Sequence, residues 1–412
     1  MRTQYFLLNL TIFILLFSPT GFCADEFAYQ ESWLEPDGLV NAKSLGLPGT
    51  WSIEKQVLQG GKQDGVEVIA LNNGKLELIV VPTRGMSIWE VRCGDLRIGW
   101  DSPVKEIVHP KYVNLESRGG LGWLDGFGGW FVRCGLEYAG LPGSDEAPSN
   151  TGAIVPIDLT LHGKIDYTPA SRVDVTVDKE APHTLVVSGI VNESLMFGPN
   201  LQVQTKISTV PNTLQFQVSD TIINNSGHDS EMEIIYHLNF GRPLLEEGSR
   251  FVAPLDRITP RDTRAVEGIA DAFLYGPPQP NYIEQVYFLK PRATNSGQTE
   301  VFLRNAGGDT GVSMKYSTNA LPCLTLWKNT TSEADGYVTG IEPGTNYPNN
   351  RKIERKNGRI SVLKPGEKRD FSLGFEIALD EESVNAIEAR IKQIQGSYVA
   401  ELDLEPVEGI SY

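Results

Sequence analysis

From Val66 to Val218 the chain is a succession of short apolar runs, each closed by residues that favour turns. Val66–Leu71 and Lys75–Val81 flank Asn72-Asn73-Gly74, which suits a tight hairpin because Asn and Gly tolerate positive φ. Ile157–Ile165, Val173–Val177, Leu185–Val191, Leu201–Ile207 and Leu214–Val218 follow at similar spacing. Period-two alternation in short runs predicts strands with one buried face. No strand–helix alternation supports a doubly wound sheet. The expected fold is all-β, a large antiparallel sandwich or barrel.

One convincing helix is expected, near the C-terminus. Val384, Ile387, Ile391 and Ile394 recur at helical spacing, with Asp380 as N-cap and Gly396 as stop. Residues 243–300 are rich in Pro, Gly and Asp and read as long loops, with a return to strand at Tyr282–Phe288. Later strands are expected up to Leu324–Lys328, then at Arg359–Leu363 and Arg369–Ala378. Residues 25–60 read as an irregular leader. No linker-like composition shift divides the rest, so 61–412 is expected to be one domain.

The first 24 residues read as an export signal. Arg2 precedes the apolar run Tyr5–Phe17, which is too short to span a bilayer comfortably, and Ser18-Pro19-Thr20-Gly21 breaks it. Cleavage after Cys23 or Ala24 fits the small residues there, and bulky Phe22 argues against a lipid anchor on Cys23. No later stretch is long and apolar enough for a transmembrane helix. The mature protein is therefore expected to be exported and soluble. A net charge of −16 argues against nucleic acid or an anionic membrane as partner, since both attract basic patches. Cys93, Cys134 and Cys323 show no metal-ligand spacing. One disulfide or buried free thiols would both fit.

The chemistry-bearing residues are scattered. In Met232–Phe240, His237 and Asn239 fall on one face of an apolar strand. That suits a lined cleft, although a hydrogen-bonded core histidine is the plainer expectation from this stretch alone. His162 lies before a Gly in a strand-like run. Arg84 follows an apolar strand and precedes Gly85, where a surface turn or a cleft would both suit it. Residues 119–143 interleave Gly with Trp123, Phe127, Trp130, Phe131 and Tyr138. This is no phosphate loop, since it lacks the Gly-Lys-Ser/Thr ending. It suits either a sugar's C–H face against aromatic rings or a compact packed loop. Glu342, in Gly340-Ile341-Glu342-Pro343-Gly344, is expected at the mouth of a loop, where a solvated turn carboxylate is the plainer expectation.

Five of these segments together resemble the aldose 1-epimerase (galactose mutarotase-like) superfamily, most closely its branch called domain of unknown function 4432. They are PTRGMSI at 82–88, GLGWLDGFGGWFVRCGLEYAG at 121–140 with its flanking Gly, LHGKI at 161–165, YHLNFG at 236–241 and GIEPGTNYP at 340–348. The resemblance spans roughly residues 60–378 and implies a β-supersandwich. It implies His237 as general acid, Glu342 as general base and His162 as a histidine that holds the sugar. It implies no metal and no cofactor, and a small carbohydrate as ligand. Acid–base opening of a cyclic hemiacetal needs one group to take the O1 proton and another to protonate the ring oxygen.

Some family features differ. Tyr236 stands where better-known members have Asn before the acid histidine, and their Gly-Arg-x-Ala-Asn-Arg segment is replaced by the Gly/Trp block. Their intervening aspartate is matched at best by Asp271, Glu284 or Gln285. Arg84, Trp123, Arg133, Asn239, Glu284, Gln285, Trp327 and Lys328 are expected to line the pocket. An exported carbohydrate-binding protein without turnover, and a hydrolase or lyase on the same fold, are the alternatives. No paired carboxylates of the glycosidase kind are evident for the last.

Overall fold

The structure is a computed structural model and describes residues 26–32, 35 and 38–411. The expected export signal, with Cys23, lies outside the described residues. Two large sheets face each other, antiparallel except where Leu255–Pro260 pairs in parallel with Glu401–Leu402. One has nine strands, running Phe27–Ser32, Arg172–Asp178, Leu185–Ser194, Asn200–Thr209, Gln215–Asn224, Lys368–Ala378, Gly311–Ser317, Gln298–Arg304 and Arg250–Val252. The other has fourteen, and its middle runs Ser87–Cys93, Phe131–Leu136, Ser230–Phe240, Val338–Gly344, Cys323–Asn329 and Gln285–Pro291. A two-stranded arm, Gly143–Pro148 with Ile154–Leu159, stands apart from both. The fold is all-β, a large sandwich closed by one C-terminal helix.

Alternation builds the core. In Arg172–Asp178 the residues Val173, Val175 and Val177 are buried while their neighbours are not, as a half-buried strand requires. One hydrophobic cluster takes in residues from Val40 to Ile377 and joins the inner faces of both sheets. The Asn72-Asn73-Gly74 hairpin forms as expected between Glu67–Asn72 and Glu77–Val81. Its Asn73 side chain is buried and donates to Thr209 Oγ1 at 2.7 Å and to the Val210 and Thr213 carbonyls. The turn is thereby stitched to the opposite sheet. The helix spans Glu381–Gln395, with Asp380 accepting from the Ser383 amide and Gly396 at its C-cap. Val384, Ile387 and Ile391 bury against Phe302 and Ala378.

Four expectations need correction. The segment 25–60 is not an irregular leader: Phe27–Ser32 joins the nine-stranded sheet, while Leu39–Asn41 and Ser52–Val57 join the other. Trp51, 1% exposed, sits in the core. Residues 243–300 hold the strands Arg250–Val252 and Leu255–Pro260 and the helix Thr263–Glu267, and the later strand begins at Gln285, three residues after the expected start. Local Pro and Gly content concealed them because these elements are fixed by pairing with distant strands. His162 is not in a strand: it has φ 58 in a turn beyond Ile154–Leu159. Glu342 is within the strand Val338–Gly344 and 3% exposed, not at a loop mouth. Cys93, Cys134 and Cys323 are buried free thiols. No described helix is long and apolar enough to cross a membrane.

Candidate active site

The site forms where three neighbouring strands of the larger sheet present alternate residues to one face. Ser230–Phe240 lies between Phe131–Leu136 and Val338–Gly344. Its cross-strand partners include His237 with Val132 and Tyr236 with Arg133. Tyr236 points toward the opposite sheet, where its hydroxyl donates to Asp220 at 2.9 Å. His237 and Asn239 therefore point outward, under the loop that carries Trp123 and Phe127. Phe127 meets His237 edge to face with ring centres 5.4 Å apart.

The next strand, Val338–Gly344, brings Glu342 to the same face. His237 Nε2 lies 3.2 Å from Glu342 Oε1, with both side chains nearly fully buried. Gly340, two residues earlier, makes that contact possible. A Cβ there would stand 2.5 Å from Glu342 Oε1, 3.0 Å from His237 Cε1 and 3.1 Å from Trp327. These are side-chain atoms that can shift. Gly340→Ala is thus expected to fold but to spread the pair, cutting any turnover about 100-fold, as misplacement by about 1 Å does elsewhere. Thermal unfolding run beside an activity assay checks both halves.

His162 reaches the same patch from its turn. Gly163 beside it has φ 73, and a Cβ there would meet the Tyr138 and Gly135 carbonyls at 2.3 and 2.4 Å. Only glycine lets the turn press this closely on the sheet. The His162 ring lies 4.8 Å from Trp123 and 5.5 Å from His237, both edge-on. Its Nδ1–H donates to the Ala139 carbonyl at 2.9 Å, which leaves Nε2 as an acceptor in the neutral ring.

Burial sets the protonation of all three groups. It pushes His237 well below the usual imidazole value, with His162 adding repulsion and Asn239 opposing. It pushes Glu342 well above the usual carboxylate value, with Glu284 adding repulsion and Arg261 opposing. It takes His162 down to about 4, against the Ala139 carbonyl and Glu284. Burial thus favours the uncharged form of each, a neutral His237 imidazole and a protonated Glu342. Neighbouring buried groups whose shifts run in opposite directions are a mark of function.

Trp327 closes one side. Its Nε1–H donates to Glu284 Oε2 at 2.7 Å, and Arg261 holds the other Glu284 oxygen at 2.8 Å. Its ring centre is 5.7 Å from His237 and 6.1 Å from Phe127. The structure thus brings together His237, Glu342, His162, Trp123, Trp327 and Glu284, with Asn239 beside them. Asn239 donates to the Gly129 carbonyl at 3.0 Å. Phe127, Gly340 and Arg261 join them although the sequence did not single them out as pocket residues. Phe127 was signalled by the Gly/aromatic block, while Arg261 had no local signal.

Four expected pocket residues lie elsewhere. Arg133 is fully buried between the sheets, its guanidinium on Asp220 at 2.6 and 2.9 Å, Thr205 at 2.7 Å and the Gly85 and Met86 carbonyls. Strand parity puts it on the side opposite Val132 and Cys134. Arg84 is buried against the Asp166 carboxylate and stacks on Tyr167. It also donates to the Val108 and Gly126 carbonyls at 3.2 Å, so it anchors the Trp123 loop from behind. Gln285 and Lys328 are cross-strand partners facing away from His237. Lys328 caps the Asp271 and Leu274 carbonyls, and Gln285 is held by Tyr282 and the Arg264 carbonyl. Glycines in the aromatic block serve packing: a Cβ at Gly128 would meet Trp89 at 2.5 Å, and one at Gly126 would meet the Tyr167 hydroxyl at 2.6 Å. Among the described residues no group of three or more His, Cys, Asp or Glu is placed to hold a metal ion.

The chain is similar to a Klebsiella pneumoniae protein provisionally named an aldose 1-epimerase. The two share 39% identity over 92% of this chain and 99% of that one, with a TM-score of 0.86. A galactose mutarotase-like protein from Clostridium acetobutylicum shares the fold at 16% identity and a TM-score of 0.55, over 79% of this chain and 98% of that one. A galactose 1-epimerase from Lactobacillus acidophilus does so at 13% and 0.50, over 80% and 99%. No curated protein sequence matches the chain. Residues 63–377 match the family model described as a domain of unknown function, DUF4432. The chain belongs to that family, within the aldose 1-epimerase (galactose mutarotase-like) superfamily.

Proposed function

We propose that the protein is a carbohydrate isomerase of the aldose 1-epimerase type, which opens and recloses the cyclic hemiacetal of a free sugar. The observation that carries this is the His237–Glu342 pair, 3.2 Å apart beside His162 and between aromatic rings. The sugar lays a C–H face on Trp327 or Phe127, and His162 Nε2 accepts from a hydroxyl. Glu342 takes the O1 proton while His237 gives its ring proton to the ring oxygen. The bond from C1 to the ring oxygen breaks and an open-chain aldehyde forms. Rotation about C1–C2 presents the other carbonyl face, and closure returns both protons. The pair needs one proton in total, so passing it from Glu342 to His237 readies both groups without changing the net charge. Positioned acid–base groups of this kind contribute about 10²–10⁴-fold.

The same proton count fixes the pH profile. Activity is lost in acid when the pair takes a second proton on His237, and in alkali when it gives up its last from Glu342. Because burial lowers the first and raises the second, the acid limb lies well below the usual imidazole range and the alkaline limb well above the usual carboxylate range. A plateau is expected between the two limbs. An anomer-exchange profile with a single midpoint near 6.5, the ordinary value for His, would count against the shared proton.

A second reading is favoured by one observation. Tyr236, at the place of the family Asn before the acid histidine, faces Asp220 in the interior and offers nothing to a sugar. Binding without turnover fits that loss. NMR saturation transfer between anomers, over free hexoses, pentoses and deoxy sugars, decides between the two. Accelerated exchange supports the isomerase; binding without acceleration for any sugar supports the binding protein. Export of the mature chain belongs to the same proposal, resting on Arg2 and the apolar Tyr5–Phe17. N-terminal sequencing of secreted material that began at Met1 would refute it.

A further inference from the structure

We propose that Glu233 is a positioning residue, which fixes the His162 imidazole in the site by gripping the Ala139 peptide; this rests on the role assigned to His162 above. Glu233 is on the His237 strand, four residues earlier and of the same parity, paired with Leu136. It is 0% exposed. Its Oε2 accepts from the Ala139 N–H at 3.0 Å. The Ala139 carbonyl in turn accepts from His162 Nδ1–H at 2.9 Å. The same segment holds the His162 main chain, since the His162 amide donates to the Gly140 carbonyl at 2.9 Å. Ala139 is itself fully buried, so it has no water to replace either contact.

A structural role accounts for Glu233 poorly. Its Oε1 is buried with no hydrogen-bond partner among the described residues. Burying a carboxyl with half its capacity unmet costs stability, and a leucine would fill the space without that cost. Burial pushes the group up to about 8, with Glu354 and Glu231 adding repulsion and the Ala139 amide and Arg351 opposing. What the carboxyl does supply is a fixed acceptor that sets the Ala139 peptide. That peptide's carbonyl then selects the His162 tautomer with a proton on Nδ1 and a free lone pair on Nε2.

The test compares Glu233→Gln, which keeps an acceptor oxygen, with Glu233→Leu, which does not. Long-range ¹H–¹⁵N spectra of the histidine rings report the His162 tautomer directly, whether or not any sugar turns over. The Leu variant is expected to shift the His162 ring signals toward mixed tautomers, while its thermal midpoint changes little, since relief of the buried carboxyl offsets the unpaired Ala139 N–H. The Gln variant is expected to keep the wild-type ring pattern. With a turned-over sugar, Leu raises KM about tenfold with little change in kcat, the worth of about one hydrogen bond. Unchanged His162 signals in the Leu variant overturn the proposal, as does a Gln variant as impaired as Leu. If Leu does not fold, the wild type still decides. Apart from the ring's own protonation at about 4, the Ala139 amide and the His162 ring must share a second midpoint at about 8, that of Glu233 among Glu231, Arg351 and Glu354; a His162 ring that does not follow the Ala139 amide there overturns the linkage. If the wild type exchanges no anomers, the function above fails while the ring spectra still judge Glu233.

Discussion

Glu342→Gln is expected to slow anomer exchange by about 10²–10⁴-fold, the usual worth of a positioned acid–base group, with the sugar still bound. The amide keeps the shape and the contact with His237 but cannot take the O1 proton. Stability should hold, because burial already keeps Glu342 protonated and uncharged, and the amide has nearly the same shape and polarity. His237→Asn is expected to match it, and the double variant to be little worse than either, since the two groups share one proton and act as a unit. Saturation-transfer rates at matched sugar occupancy give the answer. Rates within about twofold of wild type for Glu342→Gln would remove Glu342 from the chemistry.

Arg133→Met is expected to cost about 3–5 kcal/mol of stability, because it strands Asp220 as an unpaired charge between the sheets. Both side chains are fully buried, and the guanidinium also satisfies Thr205 and two carbonyls. Adding Asp220→Leu should recover a large part of that loss, since an apolar pair can replace a buried ion pair at little cost. Tyr236 would then lose its acceptor, so recovery stays incomplete. Denaturant unfolding of the two single variants and the double closes the cycle. If Arg133→Met kept its stability and lost sugar affinity instead, the guanidinium would belong to the site after all.

Much of the architecture was legible because alternation is a local signal. The 173–177, 185–191 and 201–207 runs and the Asn72-Asn73-Gly74 turn all formed where the pattern put them. The helix after Asp380 was equally clear, since its cap and its stripe lie within one stretch. The strands at 27–32 and 250–260 were not legible, since pairing with distant partners holds them rather than their own composition. Within the site, motif position brought out His237, Glu342 and His162, while facing direction was lost wherever strand phase was unknown. Arg133 and Lys328 sit one residue out of phase with the face that carries His237 and Trp327. Arg84 was misjudged differently: a Gly after an Arg looked like an open turn, and a distant carboxylate, Asp166, closed over it.

The strand Ser230–Phe240 carries the candidate chemistry on its odd positions, 233 and 237, and a structural ion-pair contact on an even one, 236. A slip of one residue would move the imidazole into the Arg133–Asp220 niche and leave a phenol facing Glu342. Two unrelated penalties therefore guard a single alignment. For an engineer this makes the strand a natural divider: libraries confined to its odd positions would sample specificity, those confined to its even positions would sample folding, and the two could be screened separately.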